Sequence, residues 1–262
     1  MKIVVCGAAG RMGQAIYSIA KVDENVQIVG ALEYEGSPAI GTCNPPIAAS
    51  GELEKYLPEA DVLIDFTNPD SALKHLETAK KYKKPVVIGT TGFITEQKEK
   101  IAEYAKKIPV IMSPNMSVGV NILFKLVASV AKRIPDYDIE LLELHHNKKK
   151  DAPSGTAAAL AEVVAGAIGK NINDVGVYGR KSIMAERKKD EIGIMSIRAG
   201  DIVGEHTVYF AGPGERIELT HRAHSRDTFA AGAIRAAKWL IDKEPGLYDM
   251  QDVLGIKKLN IE

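Results

Sequence analysis

The stretch "VVCGAAGRMG" (4–13) decides the reading of the first half of the chain. A short apolar run enters three glycines, Gly7, Gly10 and Gly13, and an amphipathic pattern from Arg11 to Lys21 follows. An apolar run without polar alternation predicts a strand buried on both faces. A strand that turns on glycine into a helix aims backbone N–H groups at one point and leaves no Cβ in the way. That arrangement fits a dinucleotide pyrophosphate. The usual spacing is G-x-G-x-x-G; here one more residue separates the first two glycines, and the physical requirement is unchanged. An acid closing the second strand about 20 residues beyond the last glycine completes such a site. "VQIVGALE" (26–33) ends on Glu33, whose carboxylate can accept from both adenosine ribose hydroxyls.

Outward from there the pattern repeats. "DVLIDFT" (61–67), "PVVIGTT" (85–91) and "PVIMSPN" (109–115) are apolar runs separated by helical periodicity near 70–83 and 95–107. Strands alternating with helices predict an α/β fold, a Rossmann-like doubly wound parallel sheet. The loops "GTTG" (89–92) and "SPNMS" (113–117) follow strands, where ligands bind in such folds. Gly89, Thr90 and Thr91 offer N–H and hydroxyl groups for the nicotinamide side.

After Asn115 the texture changes. A helix is predicted over 119–133, a strand over 137–146 and a helix over 156–169. "EIGIMSIRAG", "IVGEHTVYFAG" and "ERIELTHRAHS" then read as three strands, suited to antiparallel pairing in an open mixed sheet. The charged run 185–191 reads as a solvated loop, and 227–243 as a terminal helix returning to the first domain. The expected domains are 1–117 with 226–262 for dinucleotide binding, and an α+β domain over 118–225.

Composition narrows the function. Lysine plus arginine and aspartate plus glutamate number 34 each, so no global field favours nucleic acid or a membrane surface. Any anion site must be local. Cys6 and Cys43 provide neither a disulfide framework nor metal spacing, and are expected to be small buried hydrophobes; no metal site is expected. No apolar run reaches membrane-spanning length, which predicts a soluble cytoplasmic protein.

The local anion site is "HHNKKKDAPSGTA" (145–157). Ser154 stands as the N-cap of the 156–169 helix. Gly155 and Thr156 then present N–H groups at the positive end of the helix dipole, which suits a carboxylate or phosphate. Lys148, Lys149 and Lys150 lie just upstream. His145 and His146 end a strand, where alternation turns them to opposite sides. Histidine and lysine beside an anion can donate protons as a hydride arrives. Ser154 lacks a G-x-S-x-G elbow, which argues against a nucleophile.

"ELHHNKKKDAPSGTA" strongly resembles the signature of the 4-hydroxy-tetrahydrodipicolinate reductase (dihydrodipicolinate reductase) family. "GAAGRMG", "IDFTNP", "IGTTG", "SPNMSVGVN", "DEIGIMSIRAGDIVGEHTV", "ELTHRAHSRDTFA" and "PGLYDMQDVLG" resemble it in matching order, so the likeness spans essentially the whole chain. The resemblance implies reduction of a cyclic dicarboxylate by NADH or NADPH with loss of water, in lysine and diaminopimelate synthesis. It implies His145 as proton donor or acceptor and Lys149 as proton donor. Substrate contacts would be His146, Ser154, Gly155 and Thr156. Cofactor contacts would be Gly7, Ala8, Ala9, Gly10, Arg11, Met12, Glu33, Gly89, Thr90, Thr91, Ser113, Pro114, Asn115 and Met116. It also implies a homotetramer joined through the sheet of the second domain.

Two departures stand out. Asn147 and Lys148 replace the arginine or histidine common in the family, and Tyr34 follows Glu33 where arginine is common. Glu33 repels a 2′-phosphate. "EYEGS" (33–37) carries no cation to offset that, so NADH is the expected preference, with Arg11 as the nearby candidate for rescuing NADPH. A non-catalytic NAD(H) sensor needs no proton donors beside an anion trap. A reductase of another small dicarboxylate is the nearer alternative.

Overall fold

Strands whose side chains are apolar on both faces need cover on both faces, and the chain supplies it by winding helices alternately to either side. The structure is a computed structural model and describes residues 1–182 and 185–257; the expected tail of the first domain, 258–262, lies outside the described residues. In chain order, β1 (Lys2–Cys6), α1 (Arg11–Val22), β2 (Gln27–Glu33), β3 (Ala48–Ala49), α2 (Leu53–Tyr56), β4 (Val62–Asp65), α3 (Pro69–Lys81), β5 (Val86–Ile88), α4 (Thr95–Ala105) and β6 (Pro109–Met112) come first. Next come α5 (Val118–Arg133), β7 (Asp138–His145), α6 (Gly155–Ala167), α7 (Ile172–Val175), β8 (Gly176–Tyr178), β9 (Ile192–Arg198), β10 (Gly204–Gly212) and β11 (Glu215–Ala223). The chain closes with α8 (Asp227–Leu240), β12 (Gly246–Tyr248) and α9 (Met250–Val253). Two compact units result, Met1–Val118 with Arg226–Lys257, and Gly119–Ser225.

The first unit holds a parallel sheet in the order β12-β6-β5-β4-β1-β2-β3. Period-2 alternation divides its side chains. Ile3, Val5, Val62, Ile64 and Val87 pack with Ile16 of α1 and Ala233, Ala237 and Leu240 of α8. Val4, Cys6, Leu63, Val86 and Ile88 pack on the other face with Leu76 of α3 and Ile101 of α4. This is the doubly wound arrangement. β12 is an addition that three residues of modest apolarity did not announce; it pairs with β6 through Gly246–Tyr248. Cys43 departs from expectation. It is exposed and holds a φ of 70°, in a loop that offers it no core to join.

The second unit holds a mixed sheet in the order β11-β10-β7-β9-β8. The three strands after residue 190 do not form a simple meander. β10 and β11 pair antiparallel, but β9 pairs parallel with β7, which lies between β9 and β10. The sequence from α6 through β8 makes the crossover that a parallel pair requires. Ile139, Leu141, Ile194, Val208 and Phe210 share one face with Val127 of α5 and Leu160 and Val164 of α6. The run 185–191 is not simply solvated. Arg187 is half-buried and donates to Asp138, to Glu140 and to the Ile139 carbonyl, tying this loop to the start of β7. Among the described residues no helix is long and apolar enough to cross a membrane.

Two helical glycines make opposite predictions. Alanine is favoured over glycine inside a helix by about 1 kcal/mol. A Cβ on Gly166 of α6 meets open space, whereas one on Gly232 of α8 overlaps the Met116 carbonyl oxygen. Gly166→Ala is therefore expected to raise thermal stability, and Gly232→Ala to lower it by about 1–3 kcal/mol as overpacking does. Denaturant titration of both variants checks this; stabilisation by Gly232→Ala would contradict the packing.

Candidate active site

A glycine cradle of the kind that suits a dinucleotide forms where β1 meets α1. Gly7 has φ +80°, and a Cβ there would collide with the Phe66 carbonyl; a Cβ on Gly13 would collide with the backbone of Gly7 and Ala8. These contacts explain glycine at two of the three positions. Gly10 is the N-cap of α1, with no side-chain cap and no acid in the first turn. The helix's own first turn therefore sets no negative charge against its dipole, as a pyrophosphate site requires. Glu33 ends β2, and its Oε2 accepts from the Ala9 N–H at 3.0 Å. A cleft of about 240 Å³ is lined by Gly7, Gly10, Glu33, Tyr34, Thr67 and His75. The residues present thus fit a dinucleotide.

The loops after β4 and β5 are braced by Asp65, a buried residue that the sequence reading did not single out. Its Oδ1 accepts from the Thr67 N–H at 3.1 Å, the Thr67 hydroxyl at 2.7 Å and the Thr90 hydroxyl at 2.8 Å. Its Oδ2 lies 2.7 Å from Nδ1 of His75. Thr90 is therefore buried and occupied in holding its loop, beside Gly89 and the exposed Thr91. After β6, Ser113 and Met116 are buried, Pro114 is exposed, and Asn115 accepts from the Ser117 N–H at 2.8 Å. On α1, Met12 packs against the core and Arg11 is exposed; Ala8, in the turn before it, is buried in that core.

In the second unit the site grows from Glu143, which is fully buried on β7. Glu143 and His145 are two residues apart on one strand, so they face the same side. His145 Nδ1 lies 2.5 Å from Glu143 Oε2. Arg198, at the end of β9, grips the carboxylate with both Nη atoms, at 2.9 and 2.7 Å. The Ser154 N–H reaches Glu143 Oε1 at 3.1 Å. Burial alone would push this carboxyl up; hydrogen bonds from His145, Arg198 and Ser196 outweigh it and hold it well below the usual carboxylate range.

Ser154 caps α6 as expected: its hydroxyl accepts from the Ala157 N–H at 3.2 Å. The hydroxyl also meets His206 Nε2 at 3.1 Å and is buried. Gly155 is exposed at the helix start, Thr156 is buried beside it, and the first turn carries no acid. Lys149 is the half-buried member of the lysine triplet, with its side chain 20% exposed and its ammonium 2.9 Å from Asp151; Lys148 and Lys150 are exposed. His146 lies just beyond the strand end and is half-buried. Glu143, Arg198 and His206 were missed. Alternation from His145 would have found Glu143, whereas the other two need the sheet register.

His206 stands opposite Glu143 on β10, edge-on to the His145 ring at 5.2 Å. Burial, then the neighbouring His145, pushes it down from 6.5 to about 3. Between those values the unfolded chain binds a proton that the folded chain refuses. Stability is therefore present above pH 6.5 and lost as pH falls, by up to about 1.4 kcal/mol per pH unit. Glu143 acts in the same direction below pH 4.5, since its folded value is depressed. His206→Gln, which can keep the Ser154 contact, is predicted to flatten the fall of Tm between pH 6.5 and 4.5. Identical slopes in both proteins would refute the assignment.

The family model "Dihydrodipicolinate reductase, N-terminus" matches residues 1–116, and "Dihydrodipicolinate reductase, C-terminus" matches residues 119–254. The 4-hydroxy-tetrahydrodipicolinate reductase of Trichlorobacter lovleyi is 54% identical across 98% of this chain and 100% of its own. That of Geotalea daltonii is 53% identical with the same coverage. A dipicolinate-bound dihydrodipicolinate reductase from a Paenisporosarcina species shares the fold, with a TM-score of 0.77 at 24% identity over 96% of this chain and 98% of that one. A diaminopimelate dehydrogenase from C. glutamicum shares it more distantly, with a TM-score of 0.58 at 12% identity over 100% and 97%. With both halves matched in order, the chain belongs to the dihydrodipicolinate reductase family.

Proposed function

We propose that this chain reduces 4-hydroxy-tetrahydrodipicolinate to tetrahydrodipicolinate with loss of water, using NADH or NADPH. The observation that carries the reading is Glu143, one carboxylate bonded to both the His145 imidazole and the Ser154 N–H at the anion-binding helix start. A cyclic dicarboxylate needs an anion site and a proton source side by side. The start of α6 offers one carboxylate the N–H groups of Gly155 and Thr156, where a Cβ on Gly155 would meet only open space. The reduced cofactor, when bound, supplies a hydride. Water leaves the ring at the hydroxyl-bearing carbon, the hydride adds to the conjugated system, and a proton must follow to balance the charge. We assign that proton to Lys149, with His145 exchanging protons with the substrate as donor or acceptor. His146, Ser154 and Thr156 are our remaining substrate contacts. On the cofactor side our assignments are Gly7 through Met12, Glu33, Gly89 through Thr91 and Ser113 through Met116.

NADH is our preferred cofactor. Glu33 is followed by exposed Tyr34 and by Glu35, whose carboxylate accepts from the Gly51 N–H, so no cation from this loop faces a 2′-phosphate. Assembly as a homotetramer is our reading of the second sheet. Its face opposite α5 and α6 carries Leu142, Leu144, Met195, Ile197 and Tyr209 on register-matched strands, with Ile197 42% exposed. Light scattering tests this directly: a solution mass near that of one 28.3 kDa chain would exclude it.

Turnover with freshly generated substrate tests the activity. Oxidation of NADH is expected only when that substrate is present; none at any enzyme concentration would refute the reading. Lys149→Ala is expected to lower kcat by about a hundredfold or more, as loss of a general acid does, and exposed Lys148→Ala to change it little. Equal, mild losses would remove Lys149 from the mechanism. Run with each cofactor, the same assay should give a higher kcat/KM for NADH, and a several-fold preference for NADPH would overturn the cofactor assignment.

A further inference from the structure

We propose that Glu143 is a positioning residue that locks the tautomer of His145, keeping the proton on Nδ1 so that Nε2 is the atom that exchanges protons with substrate. The inference rests on the activity proposed above, but its structural half can be tested without turnover.

The Glu143 carboxylate is fully buried and meets donors on both oxygens: Arg198 Nη1 and His145 on Oε2, Arg198 Nη2 and the Ser154 N–H on Oε1. Held ionised by these partners, it can only accept. His145 Nδ1 must then be the donor, and in the neutral ring Nε2 carries the free lone pair. In free imidazole side chains the Nε2–H form is the more favourable one, so this pairing reverses the intrinsic preference. A buried carboxylate that sets histidine tautomer and orientation is a known catalytic device, and exchange of such a carboxylate for its amide damages catalysis with little change in geometry.

A second observation concerns the other side of the ring. Gly204 begins β10, has no positive φ, and lies in no turn that demands glycine. A Cβ placed there would come within 3.0 Å of His145 Nε2 and 3.4 Å of its Cδ2. Glycine at this position keeps the Nε2 edge of the ring clear. His206 meets the same ring edge-on at 5.2 Å, and burial holds it neutral, so it brings no competing charge.

The test is heteronuclear NMR of the full-length protein with ¹⁵N-labelled histidine, at a pH where His145 is neutral, with its signals assigned by their loss in His145→Gln. The wild type is expected to show the Nδ1–H form. Glu143→Gln is expected to shift it toward Nε2–H and to lower kcat by about a hundredfold or more. That variant also strands the Arg198 guanidinium, so Glu143→Gln/Arg198→Met, which removes both buried charges, separates the roles. Replacing both members of a buried ion pair restores stability far better than removing one. The double variant should regain the wild-type Tm while kcat stays low and the tautomer stays shifted. An Nε2–H form in the wild type would overturn the proposal. Recovery of kcat together with Tm in the double variant would overturn it too, by reducing Glu143 to a stabilising role. An Nδ1–H wild type with no turnover of the substrate would refute the activity while leaving the tautomer lock intact.

Discussion

A carboxylate with no access to water must be given hydrogen bonds on every side, and the second unit is arranged to give them to Glu143. The arginine comes from β9, the histidine from β7 itself, and the backbone N–H from Ser154 at the entrance to α6. The parallel pairing of β7 with β9 brings Arg198 level with His145, and the antiparallel pairing with β10 brings His206 level with Glu143. Removing any one partner leaves a buried charge or donor uncompensated. The demand for satisfaction therefore holds an ionisable ring and a helix start in fixed relation.

The first unit solves a similar problem with Asp65. Again an acid sits near the carboxyl end of a strand, and again its oxygens are filled from neighbouring loops, here by Thr67, Thr90 and His75. Loops built on strand ends carry the chemistry in doubly wound folds, yet loops are the least constrained part of the chain. A buried acid beneath them supplies the constraint that sheet pairing does not. Glu33 adds a third case at the glycine turn, where it takes the Ala9 N–H.

Much of this was legible in the residues. The order strand, glycine turn, helix, strand and acid located the cradle because each step has a local physical signature. The same holds for Ser154 as a helix cap, which the structure bears out even though the hydroxyl is turned inward. What escaped was non-local. Arg198 and His206 lie 53 and 61 positions beyond His145, and only the strand order, with β7 inserted between β9 and β10, brings them together. Arg187 looked solvated because three of its acceptors, Asp138, Ile139 and Glu140, lie on β7, far back in the sequence. β12 was too short to carry a periodicity. Cys43 shows the limit of composition, since burial statistics for a residue type say nothing about a loop that presents it to solvent.

The claim that a single dicarboxylate engages both the helix start and the histidine is most directly tested by a crystal structure of this chain with pyridine-2,6-dicarboxylate. The account predicts one ligand carboxylate on the N–H groups of Gly155 and Thr156, with His145 presenting Nε2 toward the ring and Nδ1 still on Glu143. A ligand bound elsewhere, with the start of α6 bare, or a His145 that has left Glu143 to bind through Nδ1, would contradict it.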